Sequence, residues 1–466
     1  MDSNTAGRAY IVGVGMTKFA KPKSNVDYPV MGREAATKAL LDAHITYDKV
    51  EQAVASYCYG DSTCGQRILY QLGMTGIPVY NVNNNCASGS TAIVMARNLV
   101  KHGEANCVLV VGFEKMSPGS LGSHFNDRAD PLGPISGLPS HDKGQRRNKV
   151  PFAIRMFGDA AREYISNHGA HPDDLAEIAR VNHQHSQSNP YSQFQDVYTL
   201  DQIKKSPIAY GPLTKLQCCP TSNGAAAAVV VSESFLKEHP QLQEQAVEML
   251  GQCLVTDLPS AYDGSAINAV GHGMTKRAAL GALKESGNSI SDVKVIELHD
   301  CFSSSELVSI DALGLTLPGK AHEYVRRGDL TFGSRAAVIN PSGGLTSKGH
   351  PLGATGIAQC AELVWHLRGW ANNRYISLGP TDVALQHNVG LGGAGVVTIL
   401  RRADGLPNRK KSDQEIAQIS GVGYNPAVEA RGFTAKQAES IMARDSSDWM
   451  FKYDEEEKKR KQNSSI

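Results

Sequence analysis

A cysteine in the stretch NVNNNCASGS, Cys86, stands between a strand-like run and a long helical pattern. If the helix begins at this cysteine, free backbone N–H groups and the positive end of the helix dipole would stabilise a thiolate there. Small residues on both sides also allow close approach by a ligand. An unpaired cysteine is, however, more often a small buried hydrophobe. The motif alone therefore leaves both interpretations open, a nucleophile and a core residue.

A second candidate group lies in ELHDCFSSSEL, where a strand gives way to a helix. His299, Asp300 and Cys301 stand at that junction. In α/β sheets the carboxyl ends of strands line the ligand crevice, so this position suits reactive side chains. The alternative is structural, with Asp300 or Ser303 as a helix cap and His299 bonded to a neighbour.

The glycine-dense stretch NPSGGLTSKGHPLGATGIAQ carries His350 to the start of another helix. The order of its Gly, Lys and Ser residues does not fit a phosphate-binding P-loop. Pro351 suits a first helical turn and fixes the direction in which the imidazole leaves the chain. The sequence thus predicts a second reactive residue placed, like Cys86, just before a helix.

A GxGxxG spacing occurs at Gly390, Gly392 and Gly395 in QHNVGLGGAGVVTILRR. A β-branched strand follows, where a dinucleotide-binding fold requires a helix, and no acid lies at the expected distance. The pattern instead predicts a tight turn between antiparallel strands. Its free N–H groups are candidates for half of an oxyanion hole.

The elements that must position these residues follow a βαβ rhythm. Apolar runs alternate with helical patterns in the first part of the chain, and the same rhythm returns after about residue 265. We therefore predict an α/β fold with an internal duplication. The predicted first half comprises residues 6–117 and 215–260, and the second half comprises 261–403. Residues 118–214 are predicted to form an inserted loop domain, and 404–466 a polar, peripheral C-terminal tail with a short helix near Thr434.

Composition excludes several classes of protein. The 466 residues carry a formal net charge of +1, with 41% hydrophobic and 20% charged residues, which is typical of a globular protein without a nucleic-acid footprint. No apolar run is long enough to span a bilayer. Nine scattered cysteines without a CxxC pair favour free thiols and argue against a structural zinc site, so we expect no metal.

Taken together and in this order, the motifs resemble the thiolase superfamily over residues 8 to about 402. NNNCASGSTA, ELHDCFS, NPSGGLTSKGHPLGATG and QHNVGLGGA are most similar to the thiolases of the sterol carrier type. The resemblance implies a thiolase fold. Its two duplicated βαβαβαββ halves would stack in α/β/α/β/α layers, with a loop domain over the active site, and the protein would be a homodimer.

The resemblance also implies roles for individual residues. Cys86 matches the family's nucleophile and His350 the histidine that activates it, whereas His299 would stabilise an enolate. Many thiolases take an acid/base cysteine from a C-terminal turn. Asn388 occupies that position here, and the resemblance assigns the duty to Cys301.

The implied activity is that of a 3-ketoacyl-CoA thiolase acting in fatty-acid β-oxidation, and the sterol carrier type suggests branched-chain substrates among those it cleaves. Coenzyme A enters as a substrate, and no cofactor is bound. The N–H groups of Cys86 and Gly390 are the expected oxyanion donors. By motif position alone, Cys219 and Ser347 are candidates for the pantetheine path.

Three alternatives remain: a condensing acyltransferase of the same superfamily, a lipid carrier, and an inactive scaffold subunit. The roughly 60 residues after Arg402 are too few to enclose a lipid. By resemblance the protein is expected in peroxisomes, although the sequence ends in NSSI and not in an S-K-L-like tripeptide, so mitochondria or the cytosol are alternatives.

Overall fold

The computed structural model describes residues 7–23, 26–117, 125, 127–136, 150–443 and 459. Its elements follow the predicted alternation of strands and helices. The strands are β1 (Ala9–Met16), β2 (Gln52–Ser56), β3 (Val79–Val82), β4 (Cys107–Glu114), β5 (Ile208–Tyr210), β6 (Leu213–Thr214), β7 (Gly224–Ser232), β8 (Val247–Val255), β9 (Val293–Glu297), β10 (Val338–Ile339), β11 (Val383–Gly390) and β12 (Ala394–Arg402).

The helices connect these strands or lie beside them. They are α1 (Tyr28–Asp42), α2 (Cys64–Leu69), α3 (Ser88–Lys101), α4 (Gly133–Ser136), α5 (Phe152–His168), α6 (Pro172–Ser186), α7 (Leu200–Lys205), α8 (Glu233–Glu238), α9 (Ala266–Ala269), α10 (His272–Ser286), α11 (Ser303–Ala312), α12 (Ala321–Arg326), α13 (Leu352–Arg368), α14 (Asp413–Ile419) and α15 (Ala435–Ile441). None of these helices is long and apolar enough to cross a membrane.

The sheet order shows the internal duplication directly. Ten strands run β10-β9-β11-β12-β8-β1-β7-β4-β2-β3, so each half has its first strand at the centre and its third at the edge. In each half the second strand pairs in parallel with the third and fourth, and the last two strands are antiparallel. The predicted βαβαβαββ duplication is confirmed.

The strand β8 bears on where the second half begins. It pairs along most of its length with β12 and, at its start, with β1 of the first half. Its place in the second half therefore matches the place of β1 in the first. The boundary expected after residue 260 lies beyond this strand, so we propose that the second half begins near Val247.

Helices cover both faces of each half. Helix α1 packs on β1 and β7, α10 packs on β8 and β12, and α3 and α13 lie between the halves in contact with each other. All 17 residues of α13 are buried, as expected for a central helix. Along β7, alternate residues face the α1 side and the α3/α13 side, so both faces of the strand are in the core.

The inserted region contains more helix than the sequence analysis expected. Helices α5 and α6 occupy much of it and pack against α11 of the second half. The prediction of a loop-rich domain is therefore wrong for this part of the insertion, because the apolar residues of both helices recur at helical spacing and are buried. The low-complexity segment that precedes them, residues 118–124, 126 and 137–149, lies outside the described residues.

The C-terminal segment is also less peripheral than expected. Ile416 and Ala427 are fully buried in the core around α3 and α13, and Ile441 belongs to the core around α1. The backbone N–H of Ala443 donates to the carbonyl of Leu72 at 3.0 Å. Residues 404–443 thus form part of the folded unit, and the helix expected near Thr434 is present as α15. The charged end lies outside the described residues, apart from residue 459.

The two central helices approach each other closely at glycines near their N-termini. A Cβ on Gly89 of α3 would lie 2.9 Å from the carbonyl oxygen of Gly353 in α13, and one on Gly356 would lie 2.2 Å from Ser90 Oγ. Because Cys86 and His350 stand just before these two helices, the crossing brings them to one place.

The mutation Gly356→Ala is expected to destabilise the fold by at least about 1–3 kcal/mol, because the new methyl group overlaps Ser90. Urea unfolding followed by circular dichroism measures this. Gly432→Ala is the matched control, since a Cβ there meets nothing within 4 Å. Equal stability of the two variants would contradict the close crossing.

Candidate active site

Cys86 lies at the end of a tight turn that leads into α3. The preceding residue, Asn85, has a φ of +52°, and the first helical residue is Ser88, two positions beyond the cysteine. The cysteine is half-buried, whereas Ala87 after it is fully buried. The sulfur is therefore held by the turn before the helix and retains partial access from outside.

His299 and His350 meet this sulfur from the second half. The Sγ of Cys86 and one ring nitrogen of each histidine all lie within 4.8 Å of one another. The two imidazole rings stand edge to face, with centroids 5.2 Å apart. Both histidines are buried, with 2% and 3% exposure. Cys86 thus forms one cluster with two histidines that lie more than 200 positions further along the sequence.

The hydrogen bonds of His350 determine which of its nitrogens carries the proton. Thr355 donates its hydroxyl hydrogen to the Pro351 carbonyl at 2.9 Å, so it can only accept from His350 Nδ1, 2.8 Å away. The neutral ring consequently carries its proton on Nδ1. The other nitrogen, Nε2, is buried without a hydrogen-bond partner among the described residues, and its lone pair is free to accept a proton.

His299 has the opposite proton arrangement. Ser90 donates to Asn388 Oδ1 at 3.0 Å and receives a hydrogen bond from Gln386 Nε2. The amide nitrogen of Asn388 therefore faces His299 Nδ1, 2.8 Å away, and donates to it. The neutral ring of His299 carries its proton on Nε2, so that nitrogen is a hydrogen-bond donor.

Asn388 lies within strand β11. Its motif had placed it in the turn that follows this strand, and that placement is wrong. The predicted hairpin itself is confirmed, since β11 and β12 pair antiparallel up to Gly390 and Ala394. A Cβ on Gly390 would lie 2.1 Å from the carbonyl oxygen of Asn84. Only glycine permits the hairpin to contact the loop that carries Cys86.

Burial sets the protonation of the cluster. Burial lowers the pKa of His350 to about 3, and burial together with the neighbouring histidines lowers the pKa of His299 well below its usual value. Burial, followed by the charge of Glu114, raises the pKa of Cys86 to about 12. A backbone N–H at Cys86 lowers the pKa, as expected for the start of a helix, but burial outweighs it. In the free protein Cys86 is therefore a thiol that faces a neutral imidazole.

Cys301 lies beside this cluster, and burial raises the pKa of its thiol as it does that of Cys86. Burial first, and then the neighbouring Cys219 and Cys86, raise the pKa of its thiol well above the usual value. The backbone N–H of Cys219 donates to the Cys301 carbonyl at 2.9 Å. The backbone of Cys218 forms an isolated antiparallel β-bridge with that of Phe302. Cys219 is thereby placed next to Cys301, and its contact with a substrate stays a prediction.

Asp300 fastens the loop of Cys301 to the loop that precedes His350. Its carboxylate accepts from the backbone N–H groups of Leu345 at 2.6 Å and Thr346 at 3.1 Å. The hydroxyl of Thr346 donates in return to the Asp300 carbonyl at 2.8 Å. The side chain of Asp300 thus positions both loops. The helix-cap role considered for it from sequence is wrong, since the N-cap of α11 is Phe302 and no side chain caps that helix.

Ser347 has a similar positioning contact. It is fully buried, and its hydroxyl lies 2.6 Å from that of Ser186 at the end of α6. This contact links the inserted region to the His350 loop. A substrate contact by Ser347 also stays a prediction.

Sequence reasoning missed the residues that set the histidine tautomers. Thr355 lies five positions after His350 and could have been found as a hydroxyl on the first helical turn. Ser90 and Gln386 gave no such signal, because they act on His299 from distant parts of the chain.

The mutation Asn388→Leu is expected to lower the free energy of unfolding by about 1–3 kcal/mol, because it leaves the Ser90 hydroxyl and His299 Nδ1 buried without their partner. Urea unfolding again provides the measurement. Asn98→Leu, on the exposed side of α3, is the matched control and should change stability little. A loss no larger than in the control would show that the amide does not hold this network.

Two family models match the chain. The model described as "Thiolase, N-terminal domain" matches residues 9–234, and "Thiolase C-terminal domain-like" matches residues 264–402. The chain belongs to the thiolase family. Members of this family are acyltransferases.

Named relatives agree with this assignment. "Sterol carrier protein 2" of Rattus norvegicus is 52% identical over 416 residues, which are 88% of this chain and 75% of that protein. "Non-specific lipid-transfer protein-like 2" of Caenorhabditis elegans is 45% identical over 88% of this thiolase and 99% of the relative. "Acetyl-CoA acetyltransferase" of Methanothermobacter thermautotrophicus is 30% identical over 84% and 99%, respectively.

The fold is also that of solved thiolases. The structure of human mitochondrial 3-ketoacyl-CoA thiolase in complex with CoA superimposes with a TM-score of 0.61 at 19% identity, over 86% of this chain and all of the other. The predicted thiolase fold is confirmed.

Proposed function

We propose that this thiolase is a 3-ketoacyl-CoA thiolase that cleaves 3-oxoacyl-CoA with coenzyme A through an acyl-Cys86 intermediate. The observation that carries the proposal is the cluster of Cys86, His299 and His350, in which one ring nitrogen is a free acceptor and another is a donor. A base beside a thiol and a hydrogen-bond donor beside both are the parts that covalent acyl transfer requires.

In the first half-reaction, His350 Nε2 takes the proton of Cys86 and the sulfur attacks the 3-keto carbon of the substrate. The bond between carbons 2 and 3 then breaks. Its electron pair leaves with acetyl-CoA or propionyl-CoA as an enolate, and the shortened acyl group stays on Cys86. The Nε2–H of His299 would stabilise the enolate oxygen, while the N–H groups of Cys86 and Gly390 would hold the tetrahedral oxyanion.

Cys301 supplies the proton that the enolate needs. Its raised pKa keeps it a thiol and therefore a proton donor before the reaction. The resulting thiolate takes the proton of an incoming coenzyme A, whose sulfur attacks the thioester on Cys86. Cys86 leaves the thioester as a thiolate and takes back the proton that His350 had accepted. The products are a shortened acyl-CoA and the free Cys86 thiol, with Cys301 protonated again and His350 neutral.

The same proposal covers the setting of the enzyme. A role in fatty-acid β-oxidation, branched acyl substrates and a peroxisomal location rest on resemblance to the sterol carrier type. A homodimer is supported by β3, which ends the sheet and has the half-exposed aromatic residue Tyr80 on it. An edge strand of this kind is open to pairing with a second copy.

The test is intact-protein mass spectrometry after brief exposure to 3-oxoacyl-CoA substrates in the absence of free coenzyme A. The protein is expected to gain the mass of the shortened acyl group and to lose it when coenzyme A is added. No adduct with short, long or branched substrates would refute the proposal.

Two other functions give different results in the same experiment. A condensing acyltransferase would form the adduct from a simple acyl-CoA and release a longer product in preference to a shorter one. The names of two relatives refer to lipid carriage or transfer. A lipid carrier would bind lipid and form no covalent adduct.

A further inference from the structure

We propose that Cys86, His299 and His350 form a binding site for a soft divalent cation, with Zn²⁺ as the best match, and that an ion bound there blocks the nucleophile. Binding of the ion does not depend on the proposed function. The inhibition that follows from it does rest on that function.

The donor set is the first support. The three donor atoms lie within 4.8 Å of one another. Zinc binds sulfur at about 2.3 Å and imidazole nitrogen at about 2.0–2.1 Å in tetrahedral geometry, so its donors stand about 3.3–3.7 Å apart. Side-chain movements of about 1 Å are sufficient to close the site around an ion. One thiolate and two imidazoles without a carboxylate favour zinc over magnesium or calcium.

The free lone pair of His350 is an independent second observation. Its Nε2 is buried without a partner among the described residues, while Nδ1 is anchored on Thr355. Histidine ligands of metals commonly bind through one nitrogen while the other donates to a fixed acceptor. His350 already has this arrangement before any ion arrives.

His299 reaches the same state by moving its proton from Nε2 to Nδ1. The amide of Asn388 now donates to Nδ1 and accepts from Ser90. After rotating by half a turn, it presents its oxygen to Nδ1 and its NH2 group to Ser90 Oγ, which then accepts in place of donating. Nε2 is then free to bind the ion. The rotated amide accepts from Nδ1–H and holds the ring as an outer-shell partner.

Binding involves the loss of one proton and no redox change. The S–H bond of Cys86 breaks, its proton passes to the buffer, and the sulfur forms the bond to the ion, while each histidine contributes a lone pair. Since Cys86 is half-buried, the fourth position of the ion opens toward the outside and takes water. The bound ion occupies both the attacking sulfur and the base, so acylation cannot begin.

The test uses the full chain, freed of metals with a chelator and titrated with Co²⁺ as a spectroscopic substitute. Wild type is expected to develop a thiolate-to-cobalt charge-transfer absorption at one equivalent, which Zn²⁺ displaces. Cys86→Ala is expected to lose that absorption, and His350→Asn to bind at least tenfold more weakly. Cys301→Ala and Cys219→Ala are the matched thiol controls and should bind as wild type does.

Calorimetry in buffers of different ionisation enthalpy gives a second readout. We expect release of about one proton per ion bound. If Cys86→Ala folds poorly, wild-type protein whose Cys86 has been blocked with iodoacetamide takes its place. The blocked protein should bind no ion. Unchanged charge-transfer absorption after blocking Cys86, or its loss in Cys301→Ala, would overturn the site.

Inhibition is measured separately. Zn²⁺ should suppress acylation competitively with 3-oxoacyl-CoA, and a chelator should restore it. An ion that binds to Cys86 but leaves acylation unchanged would overturn the blocking role. A protein that binds Co²⁺ through Cys86 yet never acylates would refute the thiolase proposal and leave the metal site standing.

Discussion

The mutation Cys86→Ala is expected to remove acyl-enzyme formation and to lower the turnover of 3-oxoacyl-CoA by a factor on the order of 10⁴–10⁶. In the part of the chain that the structure describes, Cys86 is the thiol that forms one cluster with ring nitrogens of His299 and His350, all within 4.8 Å, and His350 Nε2 has no hydrogen-bond partner there. Intact-protein mass spectrometry measures the adduct, and release of acetyl-CoA or propionyl-CoA measures turnover.

Cys253→Ala is the matched control for this experiment. Cys253 is a half-buried thiol on β8 that contacts Gly281 of α10, on the outer side of the second half. The control should form the adduct at the wild-type rate. An adduct of the same mass on the Cys86→Ala protein would show that another residue is the nucleophile.

The mutation His350→Asn is expected to lower the rate of acylation about 10²–10⁴-fold, the usual contribution of a general base. The asparagine amide can still donate to Thr355 in place of Nδ1–H, whereas the acceptor Nε2 is lost. Because the pKa of Cys86 is raised to about 12, the thiol cannot ionise near neutral pH without that base. Stopped-flow acylation under single-turnover conditions gives the rate.

Thr355→Val is the control for His350→Asn. It keeps the imidazole but removes the hydroxyl that fixes the proton on Nδ1, so its effect on acylation should be clearly smaller. Raising the pH should partly restore the His350→Asn rate, as more Cys86 ionises without help. Rates that are equal in wild type and His350→Asn would rule out His350 as the base.

Local patterns predicted much of the architecture because most elements are strongly periodic. Strands such as β4 and β7 are buried along nearly their whole length, and the helices between them have one or more apolar faces. The two weakest expectations had a common cause. Composition suggested loops for residues 118–214 and a peripheral tail after residue 403. Whether a segment is buried, however, depends on the part of the fold against which it packs, and composition does not show that part.

The C-terminal segment illustrates that cause. Ile416 and Ala427 belong to a short, mostly polar segment that has too few large apolar residues to form a core by itself. It adds them to a core that the two halves have already built. Helix α5 was missed for a related reason. Its apolar residues have helical spacing, but they follow a Gly- and Pro-rich stretch whose composition suggested loops.

By itself, the sequence determined the duplicated α/β architecture and the family, and it predicted the reactive residues. These depend on local periodicity and on motifs of contiguous residues, which a single chain displays directly. The tertiary structure alone decided the protonation of the site. Ser90 and Asn388 are 298 positions apart, and their hydrogen bond selects the tautomer of His299. Burial by both halves keeps Cys86 a thiol and His350 an unprotonated base, since the cost of a buried charge arises only when the chain has folded around it.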